Sequence, residues 1–244
     1  MPTIIFTAGA KGGTGKTTAV RFLTTYLREQ GFNPLLLDMD DESRTFSRFF
    51  PEAQKIEIKE SFSHDILIKK VIGGERLIIA DLKGGTGRDT LDWWLKLPFE
   101  ELTDIRFICV ASITSTSDSV QSFLNWAAAL KNQVSYVVCK NQKDGSEFLD
   151  YDTSDEAISF RTKYRPISVL IPRLHEKYVT ELDRLNLTIS EVLEAGGRGI
   201  INGKDVGPEL DCLLVRARLR SFQNEIYEQF KPVLELLNAE GKTI

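Results

Sequence analysis

Apolar and polar residues alternate along the chain in two patterns. Short runs rich in β-branched and apolar residues are typical of strands buried on both faces, and they occur at residues 3–7, 34–37, 76–80, 106–111, 135–139 and 167–171. Longer segments with helical periodicity separate these runs, at residues 17–30, 89–97, 117–131, 154–164 and 176–185. The alternation predicts an α/β fold, in which a mostly parallel sheet carries helices on both faces.

The pattern changes in the last third of the chain. Residues 208–238 have helical periodicity, interrupted by Pro232, which is expected to kink or break the helix. We expect this C-terminal helical segment, about residues 208–239, to pack against the sheet. Residues 195–207 are the most loop-like stretch, and no repeat or low-complexity linker divides the chain, so residues 1–244 are predicted to form a single domain.

The composition is that of an ordinary globular protein. Hydrophobic residues make up 42% and charged residues 27% of the 244 residues. No apolar run approaches the roughly 20 residues of a membrane-spanning helix. The apolar run at residues 3–7 has no basic leader before it, so a secretion signal is not predicted. We therefore expect a cytoplasmic protein that does not engage a membrane.

The cysteine content bears on metal sites and disulfides, and the net charge bears on basic surface. Cys109, Cys139 and Cys212 are odd in number and far apart, which predicts buried free thiols rather than a metal site or a disulfide. The formal net charge of −4 argues against a protein coated with basic surface. It leaves room for a local basic patch.

A glycine-rich stretch follows the first predicted strand and opens the first predicted helix. Backbone N–H groups of such a loop converge on phosphate oxygens, and the helix N-terminus adds partial positive charge. Lys16 is expected to contact the β- and γ-phosphates of a nucleotide, and the Thr17 hydroxyl to bind Mg²⁺. The candidate phosphate-binding residues are Lys11, Gly12, Gly13, Thr14, Gly15, Lys16, Thr17 and Thr18.

Carboxylates end two of the predicted strands. Asp38 and Asp40 follow the second apolar run, and Asp81 follows the third. Parallel strands end at one edge of a sheet, where such folds bind their ligands. An apolar strand ended by one carboxylate, such as Asp81, is typical of a Walker B element that holds Mg²⁺ through water.

The glycine-rich stretch contains two lysines, and its pattern resembles that of one family. Lys11 to Thr17 match the signature Lys-Gly-Gly-x-Gly-Lys-Thr of the ParA/MinD deviant Walker A ATPases, with Ala10 where the first glycine usually stands. In that family the early lysine reaches across a dimer interface to the partner's nucleotide. The resemblance therefore implies that Lys11, with Lys16, acts in catalysis and that the chain forms a homodimer in its ATP state.

The resemblance also implies roles for residues at the strand ends. Asp38 matches a carboxylate that supports the Mg²⁺ shell, and Asp40 one that orients or polarises the attacking water. Gly84 matches a glycine whose N–H senses the γ-phosphate. Asn141 is the candidate for adenine recognition, and Pro172 matches a segment that borders the base.

Two loops depart from the family pattern. Asp41 and Glu42 follow Asp40, where family members often have Pro-Gln. Lys83, Gly84 and Gly85 stand where Thr-Pro-Pro is common in the family. This loop, the second switch that responds to the γ-phosphate, is therefore predicted to be more basic and more mobile than is usual in the family. This variation is expected to change either the partner that is recognised or the rate of hydrolysis.

The resemblance implies a weak ATPase that a partner protein stimulates, acting in plasmid or chromosome partition or cargo positioning through nonspecific DNA binding. The candidate DNA contacts are Arg198, Lys204, Arg216 and Arg220, although a solvated helix face explains the C-terminal arginines equally well. Two alternatives remain open. One is a regulatory ATPase of conjugation, secretion or polysaccharide export that acts through protein partners, and the other is a small-molecule kinase built on the same loop.

Overall fold

The computed structural model describes residues 1–9, 11–59, 61–84, 87–201 and 203–239. A seven-stranded sheet runs through the centre in the order β3-β2-β4-β1-β5-β6-β7, and all neighbouring strands are parallel. Six strands lie where the apolar runs predict them, whereas the two-residue β3 is exposed and carries no apolar signal. The strands are β1 (Thr3–Ala8), β2 (Leu35–Met39), β3 (Gln54–Lys55), β4 (Leu77–Leu82), β5 (Arg106–Ile113), β6 (Ser135–Asn141) and β7 (Ile167–Ile171).

Helices cover both faces of the sheet, which confirms the predicted fold class. The sequence pattern does not predict three short helices, α3 (Ile66–Ile72), α6 (Leu149–Thr153) and α9 (Ile189–Ala195), because few turns give little periodicity to detect. A 3₁₀ helix (Ser61–Asp65) precedes α3. The helices are α1 (Lys16–Glu29), α2 (Thr45–Phe49), α3 (Ile66–Ile72), α4 (Gly87–Lys96), α5 (Ser117–Leu130), α6 (Leu149–Thr153), α7 (Asp155–Tyr164), α8 (Glu176–Leu185), α9 (Ile189–Ala195), α10 (Pro208–Asp211) and α11 (Leu213–Asn238).

Alternation along the strands divides the core into two layers. Ile4 and Phe6 of β1 face the helices α3 to α7, whereas Ile5 faces α1, α2 and α11. All three side chains are fully buried. Successive strand residues point to opposite faces, so an uninterrupted apolar run is the sequence signature of a strand covered on both sides.

The C-terminal segment is helical, as predicted, and Pro232 does not break it. The helix α11 continues through Pro232 to Asn238, so the proline does not end it. Ile226, Phe230 and Val233 of α11 are buried against the sheet on either side of the proline. Burial of this apolar face compensates for the backbone hydrogen bond that proline cannot donate.

A third cluster of buried side chains lies beside the sheet, formed by α8, α9, α10 and the first turns of α11. Its centre includes Leu187 and Leu219, both fully buried. The stretch predicted as a loop contains a small antiparallel hairpin, β8 (Ile200–Ile201) and β9 (Lys204–Asp205). Tyr227 of α11 links this region to α1, because its hydroxyl group lies 3.1 Å from Ser190 Oγ of α9 and 2.8 Å from Thr25 Oγ1 of α1.

The cysteines are free, as predicted, but they differ in burial. Cys109 and Cys139 are buried in β5 and β6, whereas Cys212 is exposed, so the prediction of burial is wrong for Cys212. That residue precedes α11 and lies outside the three core clusters. Within the described ranges, no helix combines the length and apolar character needed to cross a membrane.

Candidate nucleotide-binding site

The glycine-rich loop lies at the carboxyl end of the central strand. β1 ends at Ala8 between its neighbours β4 and β5, and α1 begins at Lys16. Strand order reverses at this point, and ligands of open α/β sheets bind in such crevices. Gly15 precedes α1 with φ of 97°, a backbone conformation that residues with a Cβ rarely adopt. Ala10, Gly85 and Thr86 lie outside the described residues.

A cavity of about 720 Å³ opens at this end of the sheet, a size typical of small-molecule sites. The fold brings most of the predicted site residues to its wall, although they are far apart in the chain. Those lining the cavity are Gly12, Gly13, Gly15, Lys16, Thr17, Thr18, Asp40, Gly84, Asn141 and Pro172.

Lys16 is buried inside this cavity. Its Nζ donates to the carbonyl of Lys11 at 2.8 Å, so the side chain folds back over the loop. Burial lowers the pKa of the Lys16 ammonium, and the nearby carboxylates of Asp81 and Asp40 partly offset that effect. The arrangement places a cation at the centre of a loop of backbone N–H groups.

Thr17 and Asp81 are in direct contact. The Thr17 hydroxyl donates to Asp81 Oδ2 at 2.6 Å, and the Thr7 hydroxyl donates to the other carboxylate oxygen at 3.2 Å. Burial raises the pKa of Asp81 to about 7, against the opposing effect of the Thr17 hydrogen bond. A hydroxyl in the cavity wall backed by a buried carboxylate fits a Mg²⁺ ion that keeps several waters.

Asp38 and Asp40 have different surroundings. Asp38 is fully buried, does not line the cavity, and its carboxylate accepts from the backbone N–H of Ser47 in α2 at 2.8 Å. Asp40 lines the cavity, and its Oδ1 accepts from the N–H groups of Glu42 and Ser43 at 3.1 and 3.0 Å. Asp38 therefore anchors α2 to the strand, while Asp40 shapes the loop that faces the cavity.

Gly84 approaches the glycine-rich loop closely. A Cβ at this position would lie 3.1 Å from Lys16 Nζ and 3.3 Å from the Cα of Gly12. Contacts this short leave little room for any side chain. The backbone after β4 therefore reaches the phosphate-binding residues, where the sequence predicts a phosphate sensor.

Asn141 and Pro172 lie together because β6 and β7 pair at their ends, with Asn141 opposite Ile171. The Asn141 Nδ2 donates to the carbonyl of Thr14 at 3.1 Å, and its Oδ1 accepts from the N–H of Lys143. Ser112 Oγ donates to the same Thr14 carbonyl at 2.8 Å. Asn141 thus holds the glycine-rich loop in place, and among the described residues its Nδ2 has this one acceptor, which leaves an amide hydrogen for a ligand.

The two loop lysines are separated by the fold. Lys11 does not line the cavity, and its Nζ forms an ion pair with Asp118 Oδ2 at 3.0 Å. The Lys11 side chain is 39% exposed and that of Asp118 is 84% exposed, so solvent weakens the pair. Its partner lies in the first turn of α5, a position that sequence analysis does not identify.

Three of the four predicted DNA contacts are engaged with the chain itself. Arg198 donates to the carbonyls of Ala195 and Glu194, and Lys204 to the carbonyl of Leu185. Arg216 pairs with Asp211 at 2.9 Å, whereas Arg220 is exposed. Two of the four side chains therefore satisfy carbonyls near the ends of α8 and α9, a role that local sequence does not reveal.

The cavity extends beyond the predicted residues. Arg21, Phe22 and Thr25 line it from α1, and Phe222 and Gln223 line it from α11. Helical spacing places residues 21, 22 and 25 on neighbouring faces of α1, which is the only local signal for them. Nothing local marks the two α11 residues, because they come from a distant part of the chain.

Comparisons with known proteins agree with this architecture. A family model described as the CobQ/CobB/MinD/ParA nucleotide binding domain matches residues 5–203. No curated protein matches the sequence.

Solved structures match over most of the chain. The septum site-determining protein MinD of Pyrococcus horikoshii OT3, complexed with Mg-ADP, is 14% identical with a TM-score of 0.55, covering 98% of this chain and 100% of that chain. A candidate plasmid partition protein of Borrelia burgdorferi B31 bound to AMPPNP is 17% identical with a TM-score of 0.52, covering 96% and 100%. A chain of the MinC:MinD cell division complex of Aquifex aeolicus is 15% identical with a TM-score of 0.50, covering 91% and 96%. At these identities, the likeness shows the fold alone.

Proposed function

Because this chain belongs to the CobQ/CobB/MinD/ParA nucleotide-binding domain family, we propose that it is an ATPase whose ATP state is a homodimer. The observation that carries the proposal is the separation of the two loop lysines. Lys16 is buried in the cavity, whereas Lys11 lies outside it and is partly exposed. One cation is placed for the chain's own nucleotide, and the other is available to a second copy.

Different residues of the cavity bind the phosphates of ATP, bind Mg²⁺ and orient the attacking water. Lys16 and the N–H groups of the glycine-rich loop hold the phosphates, and Thr17, backed by Asp81, holds Mg²⁺. When bound, Mg²⁺ would supply positive charge that neutralises the phosphates. Asp40, held at the cavity wall by the N–H groups of its own loop, accepts a hydrogen bond from the attacking water and orients it.

Lys11 links the binding of ATP to the presence of a second copy of the chain. Two nucleotide sites that face each other bring together two polyanions, and this juxtaposition is strongly repulsive unless cations lie between them. Lys11 supplies such a cation when it leaves Asp118 and reaches the partner's nucleotide. Dimerisation and occupancy of the site by ATP are therefore linked.

We test the role of Lys11 with two variants that break the same ion pair. Lys11→Ala removes the cation, whereas Asp118→Ala leaves it in place. Light scattering with Mg²⁺-ATP should detect a dimer for the wild type and for Asp118→Ala, but not for Lys11→Ala, while a fluorescent ATP analogue binds all three. A dimer of Lys11→Ala at unchanged affinity contradicts the cross-dimer role.

The proposed output is partition or positioning of cargo in the cytoplasm. The ATP dimer binds nonspecific DNA, and a partner protein stimulates hydrolysis and so releases the dimer. Arg198 and Arg220 are the exposed cations of the predicted set, and DNA affinity carried by such side chains falls steeply as salt rises. A candidate plasmid partition protein has the same fold.

A second candidate is a regulatory ATPase that acts through protein partners alone. The observation that favours it is that Arg198, Lys204 and Arg216 donate to acceptors of the chain itself. Sedimentation with Mg²⁺-ATP or Mg²⁺-ADP, with and without duplex DNA at two salt concentrations, separates the candidates. An ATP-specific dimer that binds DNA in a salt-dependent way supports partition, and a dimer that ignores DNA supports the regulator. Absence of an ATP-dependent dimer contradicts both and favours the kinase.

A further inference from the structure

Two loops of the cavity leave the sheet side by side. β2 and β4 are parallel neighbours, and Met39 at the end of one pairs with Leu82 at the end of the other. Lys83 directly follows β4, and Asp41 lies two residues beyond the end of β2. The Lys83 Nζ lies 2.9 Å from Asp41 Oδ1 and 2.8 Å from Glu42 Oε1.

This contact joins the two loops that depart from the family pattern, the loop with Asp41 and Glu42 and the loop with Lys83. A lysine in the second loop meets two carboxylates in the first, so each departure supplies the charge that the other needs. The Lys83 side chain is 16% exposed, and those of Asp41 and Glu42 are 29% and 75% exposed, so solvent weakens the pair with Asp41 less than the pair with Glu42. Hydrogen bonds from Lys83 lower the pKa of Asp41, and those to Asp41 and Glu42 raise the pKa of Lys83.

Each loop also carries a residue that faces the cavity. Asp40 holds the first loop through its bonds to the N–H groups of Glu42 and Ser43. Gly84, next to Lys83, lies against Lys16 and Gly12. Lys83 itself does not line the cavity, so its ammonium is directed to the neighbouring loop and not to the space for phosphates.

We propose that Lys83 is a positioning residue, whose ion pairs with Asp41 and Glu42 couple the loop that carries Asp40 to the loop that carries Gly84. This inference rests on the proposed ATPase function for its effect on turnover. A movement of Gly84 towards or away from a phosphate is transmitted through Lys83 to Glu42. The amide of Glu42 in turn holds the Asp40 carboxylate. The position of the water-orienting group therefore depends on the phosphate sensor.

The test breaks the ion pairs from each side. Lys83→Met removes the ammonium, Asp41→Asn with Glu42→Gln removes both carboxylates, and the triple variant removes all three charges. Lys59→Met is the matched control, because Lys59 forms an ion pair with Glu57 at 2.8 Å and does not line the cavity. Hydrogen exchange is measured without nucleotide, and ATP affinity and turnover are measured with Mg²⁺-ATP.

If the two loops are coupled, a substitution in either loop should change hydrogen exchange in the other, and the effects of the variants on kcat should not add. Lys83→Met should raise exchange at the amides of Glu42 and Ser43, and the double carboxylate variant should raise it at Gly84. All three loop variants should lower kcat by the same factor, between about 2-fold and 30-fold, with little change in ATP affinity. Lys59→Met should leave exchange and turnover unchanged.

Other results overturn the inference, and they can be told apart from a failure of the proposed function. If Lys83→Met lowers ATP affinity while the carboxylate variant does not, Lys83 acts directly on phosphate. If the wild type hydrolyses ATP but exchange does not respond across the two loops, the coupling is wrong and the ATPase stands. If the reciprocal exchange appears without any ATP turnover by the wild type, the proposed activity fails and the coupling stands.

Discussion

Gly15 offers a sharp test of how the phosphate-binding loop is built. Its φ is 97°, and a Cβ at this position would lie 2.2 Å from Asn141 Nδ2. Gly15→Ala therefore imposes a backbone strain and also displaces the Asn141 side chain. That side chain donates to the carbonyl of Thr14, so the displacement breaks a buried hydrogen bond.

The two effects can be estimated separately. A left-handed backbone conformation costs a residue with a Cβ about 1–2 kcal/mol. Loss of the Asn141 hydrogen bond costs about 1 kcal/mol, at the low end of the usual range because the Thr14 carbonyl keeps the bond from Ser112. We therefore expect Gly15→Ala to lower the free energy of unfolding by about 2–3 kcal/mol.

Urea denaturation followed by circular dichroism measures this difference. Gly12→Ala is the control, because a Cβ at Gly12 meets nothing within 4 Å, and its effect on stability should stay below about 0.5 kcal/mol. The double variant Gly15→Ala with Asn141→Ala should lose about 1 kcal/mol less than the sum of the single variants. A stability of Gly15→Ala equal to that of Gly12→Ala would refute the reasoning.

Two further predictions concern the site and the thiols. The Asp40→Asn variant keeps an oxygen that accepts from the amides of Glu42 and Ser43, so it should still bind Mg²⁺-ATP and accumulate as the dimer. Its turnover should fall by about 100-fold or more. Normal steady-state turnover of this variant would show that Asp40 has no role in catalysis. Native protein should be alkylated at Cys212 but not at Cys109 or Cys139. Burial raises the pKa of the two strand thiols, whereas backbone N–H groups at the start of α11 lower the pKa of Cys212. The alkylation rate of Cys212 should therefore reach half its maximum at a lower pH than that of a model thiol, and mass spectrometry that finds the strand cysteines labelled in native protein contradicts the described burial.

Much of the fold follows from local patterns. A strand covered on both faces requires an uninterrupted apolar run, and β1 with Ile4, Ile5 and Phe6 supplies one. The glycine-rich loop is recognisable because phosphate binding demands small residues and a lysine at fixed spacing. Parallel strands end at one edge, which predicts that Asp40 lies near this loop, and the resemblance to the ParA/MinD ATPases predicts the same for Gly84.

Prediction was weakest where packing competes with local preference. Pro232 is expected to kink or break the helix, and the break does not occur because the buried faces on both sides of the proline stabilise α11. Residues 195–207 are rich in glycine and were expected to form a loop, but they contain the hairpin of β8 and β9. Cys212 was expected to be buried and is exposed.

The sequence by itself determined the class of fold, the phosphate-binding loop and the edge of the sheet where the site forms. These features depend on residue types at short and fixed spacing. The tertiary structure alone decided which groups pair across long separations: Lys11 with Asp118, Asn141 with Thr14, and Lys83 with Asp41 and Glu42. Such pairs depend on how strands and helices are arranged around the core, and the periodicity of any one segment carries no information about that arrangement.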